Sequence, residues 1–203
     1  MQLLNAISTE QLERIHALYE EAFPASEKKP FEFIRQKRET GNFEIMEIVD
    51  ESGEFCGLVI MMLYENLALL DYFAIASECR GTGVGSVVLK LLQERYAGRK
   101  FMLEIESTVG LESVADKDGA NAENGSSKMS IQVQALPIAE RKARLRRKSF
   151  YLRNNMRPMD FCVDLFGVEM EILVCGESVT YEEYYSVLKS TVPPNLIHRV
   201  RLL

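Results

Sequence analysis

Apolar residues recur first at helical and then at strand spacing along the chain. Leu12, Ile15, Leu18, Tyr19 and Ala22 share one face of a helix that Ser8 or Thr9 can cap, and Phe23-Pro24 ends it. Pro30 opens a second helix, PFEFIRQKRE, and Gly41-Asn42 stops it. FEIMEIVD and EFCGLVIMMLYEN then read as strands joined by the turn residues ESG, and Asn66 separates them from a third, LALLDYFAIA. From Val84 to Tyr96 the helical pattern is strong, with Val84, Val87, Val88, Leu91, Leu92 and Arg95 on one face. Gly98 closes that helix and KFMLEIES is the next strand. Strand, glycine turn, helix, strand is a crossover unit, which sets two parallel strands side by side.

Beyond it the pattern breaks. STVGLESVADKDGANAENGSSKMS has few large apolar residues, so a mobile insertion is expected at about 108–135. Order resumes near Ile138 with a basic helix, AERKARLRRKSFYLRNNM, whose run Arg141 to Lys148 reads as a solvated face. The strands MDFCVDLF and VEMEILVC follow, split by Gly167. A last helix, TYEEYYSVLKS, carries a capping-box pair in Thr180 and Glu183, and Pro193-Pro194 begins an extended tail. Hairpins with one crossover predict an α/β or α+β domain with a mixed sheet, a single domain over residues 1–203.

Composition narrows the chemistry. The chain is 47% hydrophobic and 27% charged, as in globular domains, and its net charge of −6 argues against a nucleic-acid surface. Cys56, Cys79, Cys162 and Cys175 are scattered, which suits a reduced protein without disulfides. His16 and His198 are the only histidines and no acidic cluster accompanies either, so neither a zinc site nor a Ser–His–Asp triad is expected. The first twenty residues have no basic leader and no apolar run nears the roughly 20 residues of a membrane span, so a cytoplasmic protein is expected.

The chemistry-bearing stretch is Arg80-Gly81-Thr82-Gly83-Val84-Gly85-Ser86, between strand and helix. No Lys-Ser or Lys-Thr follows, so it is not a P-loop. A dinucleotide fingerprint would need glycine where Ser86 stands, and that fold usually opens with its loop, whereas about 65 residues precede this one. Glycines here let backbone amides and the positive end of a helix approach an anion, with Arg80 adding charge and Ser86 a hydroxyl.

R-x-x-G-x-G at the mouth of an amphipathic helix resembles the acyl-CoA-binding motif of the GNAT superfamily of N-acetyltransferases. The upstream YFAIA, the downstream FMLEIES and the later FYLRNNM extend the likeness over most of the chain outside the insertion. The resemblance implies a central mixed, mostly antiparallel sheet with helices on both faces and one parallel strand pair splayed at the cofactor site. It implies acetyl-CoA as donor, bound by Phe73, Ala74 and Ile75 along the pantetheine arm and by Arg80 to Ser86 at the pyrophosphate, with no metal. It implies transfer to a primary amine of a small molecule or peptide by direct attack, by a monomer or homodimer. The same loop would also serve a non-catalytic acyl-CoA sensor.

Acetyl transfer requires a neutral amine, a stabilised oxyanion and a protonated leaving thiolate. By resemblance Tyr151 matches the acid, and the amide near Ile75 the oxyanion donor; Tyr151 could equally be a packing aromatic. Three carboxylates are candidates for the base. Asp71 stands in an apolar strand, on the alternating face of Leu69, Phe73 and Ile75, where burial raises its pKa. Glu104 and Glu106 alternate with Leu103 and Ile105 near the end of the next strand, where parallel strands deliver side chains to a ligand. The segment Phe23 to Phe33, with Glu27, Lys28 and Lys29, lines the acceptor side by the same resemblance.

Overall fold

A computed structural model describes residues 1–111 and 136–203. Among these, eight strands form one sheet in the order β1-β2-β3-β4-β5-β7-β6-β8, flanked by five α-helices. The strands are β1 (Gln2–Asn5), β2 (Phe43–Val49), β3 (Phe55–Tyr64), β4 (Leu67–Ile75), β5 (Lys100–Glu106), β6 (Arg157–Leu165), β7 (Val168–Cys175) and β8 (Val200–Leu202). The helices are α1 (Thr9–Ala22), α2 (Phe31–Glu39), α3 (Val84–Arg95), α4 (Ile138–Arg153) and α5 (Tyr181–Thr191). Among the described residues β4 and β5 are the one parallel pair, joined through α3 as the crossover pattern requires.

Helix ends follow their local chemistry. Ser8 is the cap of α1, accepting from the Gln11 amide while Gln11 reaches back, and Thr180 and Glu183 do the same for α5. Asn155 takes the left-handed conformation, φ 63°, just after α4. The ends of the chain add two strands to the sheet, and the second corrects the expected tail. The apolar start is an edge strand, β1, paired with β2, and the tail is not simply extended: after a 3-10 turn at Ile197–Arg199 it pairs with β6 as β8.

Each face of the sheet carries its own core. One packs Leu12, Ile15, Tyr19, Ile34 and Tyr184 of α1, α2 and α5 on Leu58, Ile60 and Leu69. The other packs α3 on Val59, Met61, Phe101 and Leu103, with Phe150 and Tyr151 of α4 at its margin. The buried stripe of α3 is rotated from its expected position: Val84, Val88, Leu89 and Leu92 are buried, whereas Val87 is 46% exposed.

Residues 112–135, most of the expected insertion, lie outside the described residues. Its first residues do not behave as an insertion: Thr108 and Leu111 are buried, closed by a turn in which the Leu111 amide donates to the Thr108 carbonyl. The basic face of α4 is likewise not simply solvated. Arg147 pairs with Glu106, Arg144 with Glu140, and Lys148 with buried Glu171 at 2.8 Å, with only 14% of the Lys148 side chain exposed. The Arg144 pair is an i,i+4 contact within α4, but the Arg147 and Lys148 pairs are made by acids of β5 and β7, and helical periodicity alone does not reveal such a partner.

Candidate active site

β4 and β5 pair only from Leu67–Lys100 to Leu70–Leu103. Beyond that point β4 keeps its partners in β3 and β5 keeps its partners in β7, so the two strands part. The edge of β4 from Asp71 to Ile75 is thereby left without a neighbour on the β5 side. Phe73, Ala74 and Ile75, the residues expected to hold a pantetheine arm, all lie on it.

The parting coincides with a bulge. Met61 pairs with Leu70 and Ile60 with Tyr72, so Asp71 is the extra residue. This overturns the expected face of Asp71. Leu69 and Tyr72 lie in the α1/α5 core while Phe73 and Ile75 lie with α3, because the inserted residue shifts the alternation by one. Asp71 is therefore on the α1/α5 face with Leu69, opposite Phe73 and Ile75.

At the mouth of α3 the glycine loop is an open cradle. Gly81 and Gly83 have φ of 78° and 85°, a left-handed backbone that side chains disfavour, and Gly83 caps α3 without any side-chain bond. The Ser86 and Val87 amides both donate to the Gly83 carbonyl, but the amides of residues 81 to 85 donate to nothing among the described residues. Unpaired amides at the positive end of a helix favour an anion. Arg80 is braced by its Nε on the Ile75 carbonyl at 2.8 Å, and the Thr82 hydroxyl donates to the Cys79 carbonyl at 2.8 Å. The loop packs tightly from behind: a Cβ on Gly85 would lie 3.1 Å from Cζ of Phe150 and 3.9 Å from that of Phe73.

Phe150 brings its neighbour Tyr151 to this margin, the two rings edge to face with centroids 5.2 Å apart. Burial pushes the Tyr151 phenol up to about 12, against the pull of Arg147, so it holds its proton at neutral pH. Among the described residues its hydroxyl makes no hydrogen bond.

The opposite face carries carboxylates. Asp71 accepts from Lys29 Nζ at 2.7 and 3.0 Å, and burial raises its pKa against that pairing. Glu104 accepts the Tyr184 hydroxyl at 3.1 Å. Burial, reinforced by the nearby Asp71 charge, lifts Glu104 to about 7. Glu106 differs: burial opposes its charge, but the Arg147 guanidinium holds it below its ordinary value. Of the three acids considered as base, Asp71 is paired with a lysine and Glu106 with an arginine, whereas Glu104 is hydrogen-bonded by a neutral hydroxyl, feels Lys29 only as a nearby charge, and has a pKa suited to proton exchange near neutrality.

Tyr184 and Lys29 are the contributors that sequence reasoning did not single out for these roles. Tyr184 had one usable signal, since a tyrosine on the buried stripe of a helix needs a partner for its hydroxyl. Lys29 had none, because its partner is forty-two residues away. Among the described residues no cluster of His, Cys, Asp and Glu could hold a metal ion, and no helix is long and apolar enough to cross a membrane.

No curated protein sequence matches the chain. Among solved structures, a protein from Bacteroides thetaiotaomicron assigned to the GNAT acetyltransferases is similar over 97% of this chain and 98% of its own, with a TM-score of 0.64 and 18% identity. Spermidine N-acetyltransferase from Vibrio cholerae, in complex with CoA and spermine, is similar over 90% of this chain and 96% of its own, with a TM-score of 0.56 and 13% identity. At such identities the likeness is one of fold. The profile of the acetyltransferase (GNAT) family matches residues 12–115, just over half of the chain. That span runs from within α1 through β5 and contains both the parting strands and the glycine loop, and by it this chain belongs to the GNAT acetyltransferase family.

Proposed function

We propose that the protein is an acetyl-CoA-dependent N-acetyltransferase acting on a primary amine of a small molecule or peptide. The reading rests on one juxtaposition: a stretch of β4 unpartnered on its β5 side leads, through one 3-10 turn at Ser77–Cys79, into five amides without acceptors among the described residues at the head of α3. A pyrophosphate suits those amides and Arg80, and a pantetheine arm suits the open strand edge, where it can pair as an added strand. Phe73, Ala74 and Ile75 would then flank the arm, and Gly81 to Ser86 the phosphates.

Chemistry follows from the two faces of the parting. On the α1/α5 face, Glu104 takes a proton from the incoming ammonium, leaving the lone pair on nitrogen. The amine attacks the thioester carbonyl, forming the C–N bond, while an amide near Ile75 faces the oxyanion. As the C–S bond breaks, the thiolate takes a proton from Tyr151 on the α3/α4 face, and the second proton of the now cationic nitrogen passes to the phenolate, restoring Tyr151 and leaving a neutral amide. The phenol's high pKa is no bar, because a thiolate leaving into the same buried space also binds its proton more tightly than in water. No covalent enzyme intermediate is required.

Tyr151→Phe tests this against a protein that merely binds acyl-CoA. Calorimetric affinity for acetyl-CoA should stay unchanged while kcat in an amine screen falls by roughly 100-fold, a usual loss for a general acid. Turnover equal to wild type would remove Tyr151 from the mechanism. Binding with no turnover of any amine by wild type would make the chain a sensor, and no acetyl-CoA binding would overturn both readings.

A further inference from the structure

A buried cluster of charged and phenolic groups away from the glycine loop surrounds Asp71. Lys29, from the segment between α1 and α2, places its ammonium on both carboxylate oxygens and 5.1 Å from the centroid of the Tyr72 ring. Glu104 of β5 brings a second carboxylate, held by Tyr184 of α5, and Tyr19 of α1 stands edge-on to Tyr72 with centroids 4.8 Å apart. One carboxylate and an aromatic face on the Lys29 nitrogen, with the Glu104 carboxylate near enough to feel its charge, form a receptor for an ammonium ion.

Lys29 is a replaceable occupant of that receptor, for two reasons. The first is that its segment is held without its side chain. The Lys29 amide donates to the Tyr72 hydroxyl at 3.0 Å, that hydroxyl donates to the Glu27 carbonyl at 2.8 Å, and the Tyr19 hydroxyl donates to the Lys29 carbonyl at 2.9 Å. Lys28 is anchored separately on Glu20. The Lys29 side chain can therefore swing out without breaking a backbone bond. The second reason is access: 25% of the Lys29 side chain and 9% of that of Asp71 remain exposed, so a solute can reach the pair.

We propose that the pocket formed by Asp71, Glu104 and the Tyr72 ring receives the ammonium group of the acceptor, that Lys29 stands in for it in the unloaded protein, and that the acceptor is an alkylammonium compound which displaces Lys29. The proposal rests on the transferase reading and adds the acceptor's chemical class to it. An ammonium received here lies beside Glu104, to which it can pass its proton. Carboxylic acids would be repelled, and neutral aromatic amines would gain nothing from the two carboxylates.

The test uses the full chain with 15N-labelled lysine, the Lys29 Nζ signal being assigned by its loss in Lys29→Arg. Propylammonium is titrated in, with and without CoA, and propionate and propanol serve as controls. The Lys29 signal should move toward that of an exposed lysine in step with propylammonium only. By calorimetry, Lys29→Met should bind propylammonium about five- to tenfold more tightly, because no ion pair has to be displaced, and Asp71→Asn should lose binding. A Lys29 signal unmoved at saturating amine, or no gain in affinity in a folded Lys29→Met, would make the lysine a strut and overturn the proposal. Should Lys29→Met fail to fold, the wild-type titration decides alone. Displacement of Lys29 in a protein that ignores CoA would sink the transferase reading and leave the ammonium pocket standing. Binding of CoA without displacement would do the reverse.

Discussion

Replacing Glu104 by Gln should make the protein more stable at neutral and alkaline pH, by an amount set by burial. In the fold Glu104 titrates at about 7, whereas its ordinary value is 4.5. Between these values the folded chain still holds a proton that the unfolded chain has released. The folded state therefore binds more protons, and stability falls as pH rises through the window. At about 1.36 kcal/mol per pKa unit, the gap corresponds to about 3 kcal/mol, lost in full above pH 7. The substituted amide would carry no charge at any pH, and its oxygen can still accept the Tyr184 hydroxyl as a protonated acid does. Wild type and Glu104→Gln should therefore be closely matched near pH 4.5 and diverge to about 3 kcal/mol in favour of the variant by pH 8. Because Asp71 contributes to the shift, the measured midpoint belongs to the pair of acids. The assay is urea unfolding at half-unit pH steps followed by circular dichroism, since the chain has no tryptophan. A difference that stays within about 0.5 kcal/mol across the range, as for an ordinary exposed position, would mean that Glu104 ionises normally. The assignment of Glu104 as base would then lose its physical ground.

Gly85→Val should weaken acetyl-CoA binding more than tenfold by calorimetry while costing about 1–3 kcal/mol in stability, because its Cβ meets Phe150 and the added methyls crowd the loop. Full affinity in a folded Gly85→Val would show that the loop is packing rather than a cradle. Lys148→Met should cost about 3 kcal/mol in urea unfolding at pH 7, because it leaves the buried Glu171 carboxylate with Thr108 as its remaining partner. Burial opposes the Glu171 charge, yet Lys148 and Thr108 hold its pKa below the ordinary value. Its contribution to stability is therefore present above the unfolded pKa and fades as pH falls, and the acid-side loss should shrink in Lys148→Met.

Much of this architecture is already written in local pattern. Apolar runs bounded by turn residues yielded the strands, capping pairs at Ser8 and Thr180 marked helix starts, and glycines between strand and helix marked the loop with unpaired amides, because each depends on residues a few positions apart. The position of Tyr151 came through resemblance to the family. What depends on partners distant in sequence was settled only in three dimensions. One inserted residue at Asp71 reversed which side chains of β4 meet α3, and strand alternation gives no warning of a bulge. The different surroundings of Asp71, Glu104 and Glu106 come from Lys29, Tyr184 and Arg147, which arrive from an interhelical segment, α5 and α4. A carboxylate's proton affinity is set by burial and neighbouring charge, and both exist only once the chain has brought those elements together.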